Sequence, residues 1–251
     1  MVHSFLLIGQ SNAAGRGFFT EAGKLETCAG RLKVLRNGCW LEMYRPVNPD
    51  RSFSGTCLAE SFAKSYADTY PNVDVGIIPC ADGGTSLEKW QPGEILFDNA
   101  INCARLAMRT SHLVAVLWHQ GEADCRADRY PLYRQRFENI MHALRKELGI
   151  PDLPVILGGL GDFLPLCTHS EHLKNYHHVN DALKTIASEN FNCAFVSAAG
   201  LGANPDNLHF NADALKEFGI RYFNEFQRCF GDRELDVNPK EDIERTSMEL
   251  L

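Results

Sequence analysis

The residues best suited to catalysis are a serine near the start of the chain and an aspartate–histidine pair near its end. Ser11 stands in a GQSN tetrapeptide at 9–12, directly after an apolar run. Asp206 and His209 lie three positions apart, so one turn can hold the carboxylate against the imidazole and leave the other ring nitrogen for the serine. A serine nucleophile needs such a base and such an orienting carboxylate. The three residues therefore predict a Ser-His-Asp triad for acyl transfer, although Ser11 alone is also typical of a turn or a helix cap.

The oxyanion that forms during acyl transfer needs hydrogen-bond donors, and the sequence offers three. They are the backbone N–H of Ser11, a backbone N–H at Gly83 or Gly84, and the side-chain amide of Gln120. Glycine lets the backbone approach a substrate without a Cβ in the way. Loss of one such donor typically costs about 3 kcal/mol of transition-state stabilisation. The choice between Gly83 and Gly84 stays open at this stage.

Four further polar residues lie close to these segments and are expected to support the site or contact substrate. Gln10 and Asn12 flank the nucleophile, and Asn12 is predicted to hold its loop by side-chain hydrogen bonds. Arg16 is predicted to pair with Glu122 or Asp124, with contact to a substrate hydroxyl or carboxylate as the alternative. Glu122 is predicted to brace its loop. With Asp124 it could also be taken for a glycosidase acid/base pair, which the triad makes unnecessary.

These segments follow predicted strands, and strand-like and helix-like patterns alternate along the chain. The pattern predicts an α/β fold, a three-layer α/β/α sandwich around a central, mainly parallel five-stranded sheet. In such sheets ligands bind at the carboxyl ends of the strands, so the segments can converge on one crevice. A further β-like piece at 31–36, followed by the hairpin signal Asn37-Gly38, is interposed in the first long loop. The predicted strands are 5–9, 73–79, 113–118, 155–157 and 193–197, and the predicted helices are 58–69 (with Thr56 as N-cap), 96–108, 130–148, 175–189 and 212–230.

Length and composition agree with one soluble globular domain. The chain has 251 residues, enough for a full core, and we predict a single domain at 1–231 followed by a charged tail at 232–251. The net charge of -7 argues against nucleic acid and anionic membranes as partners. No apolar run could span a bilayer and no secretory leader is recognisable, which predicts a cytoplasmic location.

Metal and disulfide chemistry are not indicated by the sequence. The nine cysteines are scattered without a CxxC pair, which is typical of free thiols in a reducing compartment. A loose group of histidines at 169–178 lacks the carboxylate or cysteine spacing of a defined metal site. We therefore predict no metal and no organic cofactor. The sequence is compatible with a homo-oligomer but does not specify one.

The residues above fall in four motifs: GQSNAAGRG at 9–17, PCADGGTSLEKW at 79–90, WHQGEAD at 118–124 and NPDNLHF at 204–210. Together these motifs resemble the SGNH (GDSL-like) hydrolases, and more closely the sialate O-acetylesterase-like branch with the acetylxylan esterases of carbohydrate esterase family six. The resemblance covers residues 2 to 230. It implies a triad of Ser11, Asp206 and His209, with Ser11 N–H, a second-motif glycine and Gln120 as oxyanion donors. Gln120 replaces the asparagine of the wider superfamily, and Ala13 stands where many relatives carry methionine, so the pocket wall is expected to differ there.

The resemblance implies a serine esterase that removes O-acetyl groups from a small carbohydrate. Acetylated xylo-oligosaccharides are the favoured substrates. O-acetyl sialic acid is the first alternative, and another small ester or thioester is the second. A non-catalytic carbohydrate-binding protein on the same scaffold is the remote alternative, for which an incomplete triad would be the sequence sign.

Overall fold

The computed structural model describes residues 1–232, so the predicted tail beyond Asp232 lies outside the described residues. A central sheet of seven strands has the order β3-β2-β4-β1-β5-β6-β7. All neighbouring strands are parallel except β2 and β3, which are antiparallel. The predicted α/β sandwich with a mainly parallel sheet is confirmed. The strands are β1 Val2–Gly9, β2 Leu32–Arg36, β3 Cys39–Glu42, β4 Asp74–Pro79, β5 His112–His119, β6 Val155–Gly158 and β7 Cys193–Val196.

The number of strands differs from the prediction, because the sheet has seven strands and not five. The additional strands β2 and β3 form the hairpin that Asn37 and Gly38 signal, and both turn residues have positive φ, as this tight turn requires. β2 then pairs in parallel with β4 and joins the sheet. The edge strand β3 is short and mostly exposed, so it lacks the apolar run that marks a buried strand.

Helices cover both faces of the sheet. The connections β4–α3–β5, β5–α4–β6 and β6–α5–β7 all run toward the β7 edge, so as right-handed crossovers they place α3, α4 and α5 on the same face. On the other face, Phe62 of α2 packs against Phe5 of β1. The last helix, α6, packs against α2. The α-helices are α1 Ser11–Ala14, α2 Leu58–Thr69, α3 Ile95–Ala107, α4 Tyr133–Leu148, α5 Tyr176–Glu189 and α6 Ala212–Phe230; short 3-10 segments are Leu87–Trp90, Glu122–Asp124, Tyr130–Leu132, Leu164–Leu166 and Glu171–Asn175.

Two helix starts differ from the sequence prediction for local reasons. The N-cap of α2 is Cys57 and not Thr56, because the Glu60 carboxylate accepts the Cys57 N–H in a capping box. The segment predicted as one helix from residue 130 begins with a 3-10 turn that contains Pro131, and the α-helix proper starts at Tyr133. Neither difference changes the order of the elements.

The central strand β1 is the element that fixes the nucleophile loop. Phe5, Leu6 and Leu7 are fully buried, and β1 has β4 on one side and β5 on the other. Burial of each such side chain contributes roughly 1.5–3 kcal/mol. Gly9 ends the strand at φ 135°, where a Cβ would lie 2.0 Å from the carbonyl oxygen of His119. Close backbone packing at this glycine therefore holds the start of the following loop against β5.

Within residues 1–232, no helix is long and apolar enough to cross a membrane. In the same range, no three His, Cys, Asp or Glu side chains are grouped so that they could hold a metal ion. All nine cysteines have free thiols.

We expect His3 on β1 to make stability pH-dependent. His3 is buried and its Nδ1 lies 2.8 Å from the Tyr66 hydroxyl. Burial, together with the charges of His112 and the N-terminal amine, lowers the pKa of His3 from 6.5 to about 4. The unfolded chain therefore binds more protons than the folded one between these values, and the free energy of unfolding falls as pH drops through this range. The contribution is at most about 3 kcal/mol.

The variant His3→Gln keeps a polar partner for Tyr66 but removes the titration. Urea unfolding followed between pH 4 and 7 should therefore show a shallower pH dependence than in the wild type. Two parallel curves would contradict the assignment to His3.

Candidate active site

The three predicted catalytic residues meet at the carboxyl end of β1. Ser11 begins α1, while Asp206 and His209 lie in the loop that leads into α6. The Ser11 Oγ is 3.0 Å from His209 Nε2, and His209 Nδ1 is 2.7 Å from Asp206 Oδ2. Both distances are normal for hydrogen bonds. The arrangement can pass a proton from the serine to the imidazole while the carboxylate holds the ring in place.

The turn at residues 206–209 explains how four consecutive positions supply two of the three predicted catalytic side chains. Asn207 adopts a left-handed conformation at φ 50°, which folds the chain back toward Asp206. Asp206 Oδ1 then accepts the backbone N–H groups of Leu208 at 2.9 Å and His209 at 3.0 Å. Burial raises the pKa of Asp206, but the hydrogen bonds from His209 and Leu208 outweigh it and hold the pKa below its usual value. At neutral pH this side chain is therefore a carboxylate that accepts a hydrogen bond from His209 Nδ1–H and leaves Nε2 free to face Ser11.

Asn12 joins the nucleophile loop to the loop that carries His209. Its amide nitrogen donates to Glu122 Oε1 at 2.5 Å and to the Leu208 carbonyl at 3.1 Å. Its amide oxygen accepts the Phe210 N–H at 3.1 Å. Asn12 thus clamps the backbone on both sides of His209, in addition to holding its own loop.

Glu122 lies beneath this clamp and is 3% exposed. Its Oε1 accepts from Asn12 and lies 3.4 Å from Nε2 of the fully buried His119. Burial raises the pKa of Glu122, but the hydrogen bond and charge of His119, together with Asn12, hold it below its usual value. Asp124 points elsewhere and accepts the Leu87 N–H at 2.9 Å. The two carboxylates therefore do not face each other across the pocket as a glycosidase pair would.

The predicted partner of Arg16 is wrong. Arg16 forms a bidentate pair with Asp50 at 3.0 Å and 2.7 Å, and does not pair with Glu122 or Asp124. Both members are buried, at 6% and 3% exposure. A buried bidentate pair satisfies the planar guanidinium better than a single contact would. Asp50 lies in the loop between β3 and α2, far from the motifs in sequence, so no local pattern indicated it.

Asp50 also organises the glycine loop. It accepts the Gly83 N–H at 2.9 Å and the Ser54 hydroxyl at 2.7 Å. A Cβ on Gly83 would lie 2.6 Å from Arg16 Nη2 and 2.9 Å from Asp50 Oδ2. The ion pair beside this position therefore requires glycine here.

The N–H groups that remain for an oxyanion are those of Ser11 and Gly84. Gly83 donates to Asp50, whereas the N–H groups of Ser11 and Gly84 have no acceptor within residues 1–232. Both residues line the same cavity as His209. The hydrogen bond from Gly83 to Asp50 therefore favours Gly84 over Gly83 as the second candidate donor.

Gln120 does not occupy the predicted position of an oxyanion donor. Its side chain is fully buried and does not line the cavity. The amide nitrogen donates to the Thr85 carbonyl at 3.0 Å, to Asp124 Oδ2 at 2.5 Å and to Gln10 Oε1 at 3.3 Å. The buried Asp124 carboxylate needs these donors and draws the amide inward. Gln10, which lines the pocket, in turn accepts backbone N–H groups of the loop 121–123, so both glutamines tie the surrounding loops together.

The pocket above Ser11 has a volume of about 330 Å³, within the usual range for small-molecule sites. Sequence reasoning missed Arg51 and Phe53, because they lie in a loop without periodicity or a known motif. It considered His172 only as part of a loose group of histidines. Ala13 is fully buried and does not line the pocket, so the expected change of the wall at this position is not seen. A larger cavity of about 490 Å³ lies between α4 and α5 and contains none of the predicted site residues. The pocket is lined by Gln10, Ser11, Arg16, Arg51, Phe53, Gly83, Gly84, Glu122, Ala123, Ser170, His172, Leu173, Leu208 and His209.

We expect Asn12→Ala to lower kcat about 10- to 100-fold, because it releases the loop that holds His209 while leaving all three triad side chains in place. Steady-state kinetics with 4-nitrophenyl acetate would measure the effect, and urea unfolding would show the accompanying loss of about 1–3 kcal/mol from buried groups left without partners. Asn12→Asp should be no better, since it places a second carboxylate against Glu122. A kcat within twofold of wild type for Asn12→Ala would contradict the clamp.

Comparison with known proteins shows which proteins this chain resembles in sequence and in fold. A probable carbohydrate esterase of Arabidopsis thaliana is 27% identical over 238 residues, which is 86% of each chain. The crystal structure of an Arabidopsis thaliana protein superposes with a TM-score of 0.77 at 24% identity, over 91% of this chain and 98% of that one. NanS gives a TM-score of 0.71 at 18% identity, over 92% and 98% of the two chains.

A carbohydrate acetylesterase from Xanthomonas citri gives a TM-score of 0.68 at 18% identity, over 92% of this chain and 57% of its own. At these identities the superpositions show a shared fold. The family described as "Carbohydrate esterase, sialic acid-specific acetylesterase" matches residues 1–228, nearly all of the described chain. The protein is therefore an esterase that belongs to this family of carbohydrate esterases.

Proposed function

We propose that this protein removes O-acetyl groups from small carbohydrates through a covalent acetyl-serine intermediate. The observation that carries the proposal is the continuous hydrogen-bonded chain from Asp206 through His209 to Ser11 at the floor of one pocket. Asp206 is a carboxylate at neutral pH, and it orients the base. In this hydrogen-bonded series Ser11 is the nucleophile, His209 the base and Asp206 the carboxylate that orients it, as acyl transfer requires.

The reaction begins when His209 Nε2 takes the Ser11 proton and Ser11 Oγ attacks the acetyl carbonyl. The N–H groups of Ser11 and Gly84 stabilise the oxyanion of the tetrahedral intermediate. His209 then gives the proton to the departing sugar oxygen, which leaves an acetyl ester on Ser11. Water, deprotonated by His209, attacks this ester, and breakdown of the second intermediate releases acetate and restores the serine.

A neutral sugar agrees with the charges of the pocket. Arg16 is neutralised by Asp50, and Arg51 pairs with Asp82 at 2.7 Å. Fixed charges that are already paired favour a substrate with hydroxyl groups over one with a net charge. Acetylated xylo-oligosaccharides therefore remain our first choice.

An acetylated sialic acid is the second candidate, and the part of the pocket wall formed by His172 favours it. His172 lines the pocket there, and burial and the charges of Arg126 and Arg129 lower its pKa. Arg126 and Arg129 form only long ion pairs, at 3.6 Å to Asp128 and 3.9 Å to Glu88, so their positive charge would still attract a substrate carboxylate. The family description also names sialic acid.

Two measurements test the proposal. A fluorophosphonate probe should modify Ser11, located by peptide mass spectrometry, whereas a non-catalytic carbohydrate-binding protein would stay unmodified. Acetate release should then be compared for acetylated xylo-oligosaccharides, 9-O-acetyl sialic acid and a short acyl thioester. Release from the thioester alone would overturn the carbohydrate part of the proposal, and faster release from the sialic acid would reverse the order of the two sugars.

A further inference from the structure

Phe53 is a large aromatic side chain left exposed at the edge of the catalytic pocket. It is 69% exposed and lines the same cavity as Ser11 and His209. The Arg16 guanidinium lies over its ring, with the carbon 5.2 Å from the ring centroid. Phe53 is the one phenylalanine, tyrosine or tryptophan among the pocket-lining residues of the described chain. Core packing therefore does not explain its position.

The turn that presents Phe53 is held firmly although its side chains are partly exposed. Ser54 accepts the Arg51 N–H at 3.0 Å and donates to Asp50 at 2.7 Å. The Arg51 guanidinium donates to Asp82 at 2.7 Å and to the Gly83 carbonyl at 3.1 Å. The turn is thereby joined to the glycine loop beside the nucleophile. Phe53 is thus presented at a defined place relative to Ser11.

Arg51 keeps hydrogen-bonding capacity next to this ring. A guanidinium has five N–H groups. Three are used within residues 1–232, by the carbonyls of Asp50 and Gly83 and by the Asp82 carboxylate. The other two are available to hydroxyl groups of a ligand, because the Arg51 side chain is 40% exposed. An apolar ring face and N–H donors therefore stand side by side at the pocket mouth.

We propose that Phe53 is the platform on which the sugar ring of the substrate stacks, with Arg51 binding its hydroxyl groups. The inference rests on the proposed function and specifies how the alcohol part of the ester is recognised. A pyranose has C–H groups on its faces and hydroxyl groups around its edge, so it matches an exposed aromatic face next to N–H donors. Phe53 and Arg51 then determine specificity for a sugar over a simple alcohol, and they leave the bond-breaking steps to the triad.

The test compares Phe53→Ala on acetylated xylo-oligosaccharides and on ethyl acetate, whose alcohol part is too small to stack. We expect kcat/KM for the sugar ester to fall about tenfold, mainly through KM, as expected for the loss of one aromatic contact. The value for ethyl acetate should stay within about twofold, because the loss affects binding of the sugar alone. Phe53→Trp should keep the activity on the sugar, since it keeps an aromatic face.

Phe191→Ala is the matched control, because this phenylalanine is 75% exposed and precedes β7, at the opposite end of the strands from Ser11. This variant should leave kcat/KM unchanged for both the sugar ester and ethyl acetate. Equal losses on ethyl acetate and the sugar ester, or no loss on the sugar ester, would overturn the platform while leaving the esterase intact. If the wild type cleaves 9-O-acetyl sialic acid and not the xylo-oligosaccharides, Phe53→Ala is compared with wild type on 9-O-acetyl sialic acid and ethyl acetate, and the same outcomes support or overturn the platform. Cleavage of ethyl acetate but of neither sugar would overturn the carbohydrate function and the platform together.

Discussion

Replacement of Ser11 by alanine is expected to lower kcat about a million-fold, which removes measurable turnover of 4-nitrophenyl acetate. The only atom lost is the hydroxyl oxygen that lies 3.0 Å from His209 Nε2. Without it no acetyl-enzyme can form, and His209 is left to activate water that the site does not position for the first attack. KM should change little, because the pocket walls and the N–H groups stay in place.

The fold should survive this change, since alanine fits the start of α1 and the neighbouring residues stay packed. Unfolding in urea checks this point. Ser188→Ala on the exposed face of α5 is the matched control and should keep wild-type turnover. Turnover of Ser11→Ala within tenfold of wild type would exclude Ser11 as the nucleophile.

Replacement of Asp206 by asparagine is expected to lower kcat about ten-thousandfold with little change in structure. The asparagine oxygen can still accept the N–H groups of Leu208 and His209, which hold the turn. The amide nitrogen that replaces Oδ2 is a hydrogen-bond donor, so it favours the His209 tautomer whose Nδ1 is unprotonated and can accept. In that tautomer Nε2 carries the proton and cannot take one from Ser11.

The pH profile gives this prediction a second readout. The hydrogen bonds hold the pKa of Asp206 below its usual value, so the wild-type carboxylate stays ionised through the range in which histidine titrates. The ratio of wild-type kcat to Asp206→Asn kcat should therefore stay nearly constant from pH 6 to 8, because Asp206 in the wild type stays ionised over this whole range. Asp213→Asn, an exposed change in the first turn of α6, is the control. A loss smaller than tenfold in Asp206→Asn would show that the carboxylate does not orient the base.

That the three predicted triad residues lie close together could be anticipated from the sequence for two local reasons. Ser11 follows the run that forms β1, and Asp206 and His209 are close enough in the chain for one turn to join them. The strand β3 could not be recognised in the same way, because it is short and exposed and has no apolar period. Local pattern thus identified the buried strands and missed the edge.

Side-chain contacts that depend on long-range packing could not be predicted from the sequence. Arg16 was expected to pair with an acid of a neighbouring motif, but the fold brings it to Asp50 in a loop without regular structure. Gln120 stands at the expected position in its motif, yet the buried Asp124 turns its amide away from the pocket. Whether a side chain points into or below a pocket is decided by burial and by competing partners, and neither is visible from spacing.

The contacts of Asp50 have a consequence for changing the specificity of this enzyme. One carboxylate binds Arg16 behind the nucleophile, the Gly83 N–H of the glycine loop and the Ser54 hydroxyl of the turn that carries Phe53. The turn can therefore be exchanged between relatives only together with Asp50, because a graft without it would leave a buried guanidinium uncompensated. With the proposed role of Phe53, exchange of the whole turn 50–54 is expected to change sugar preference without altering the triad.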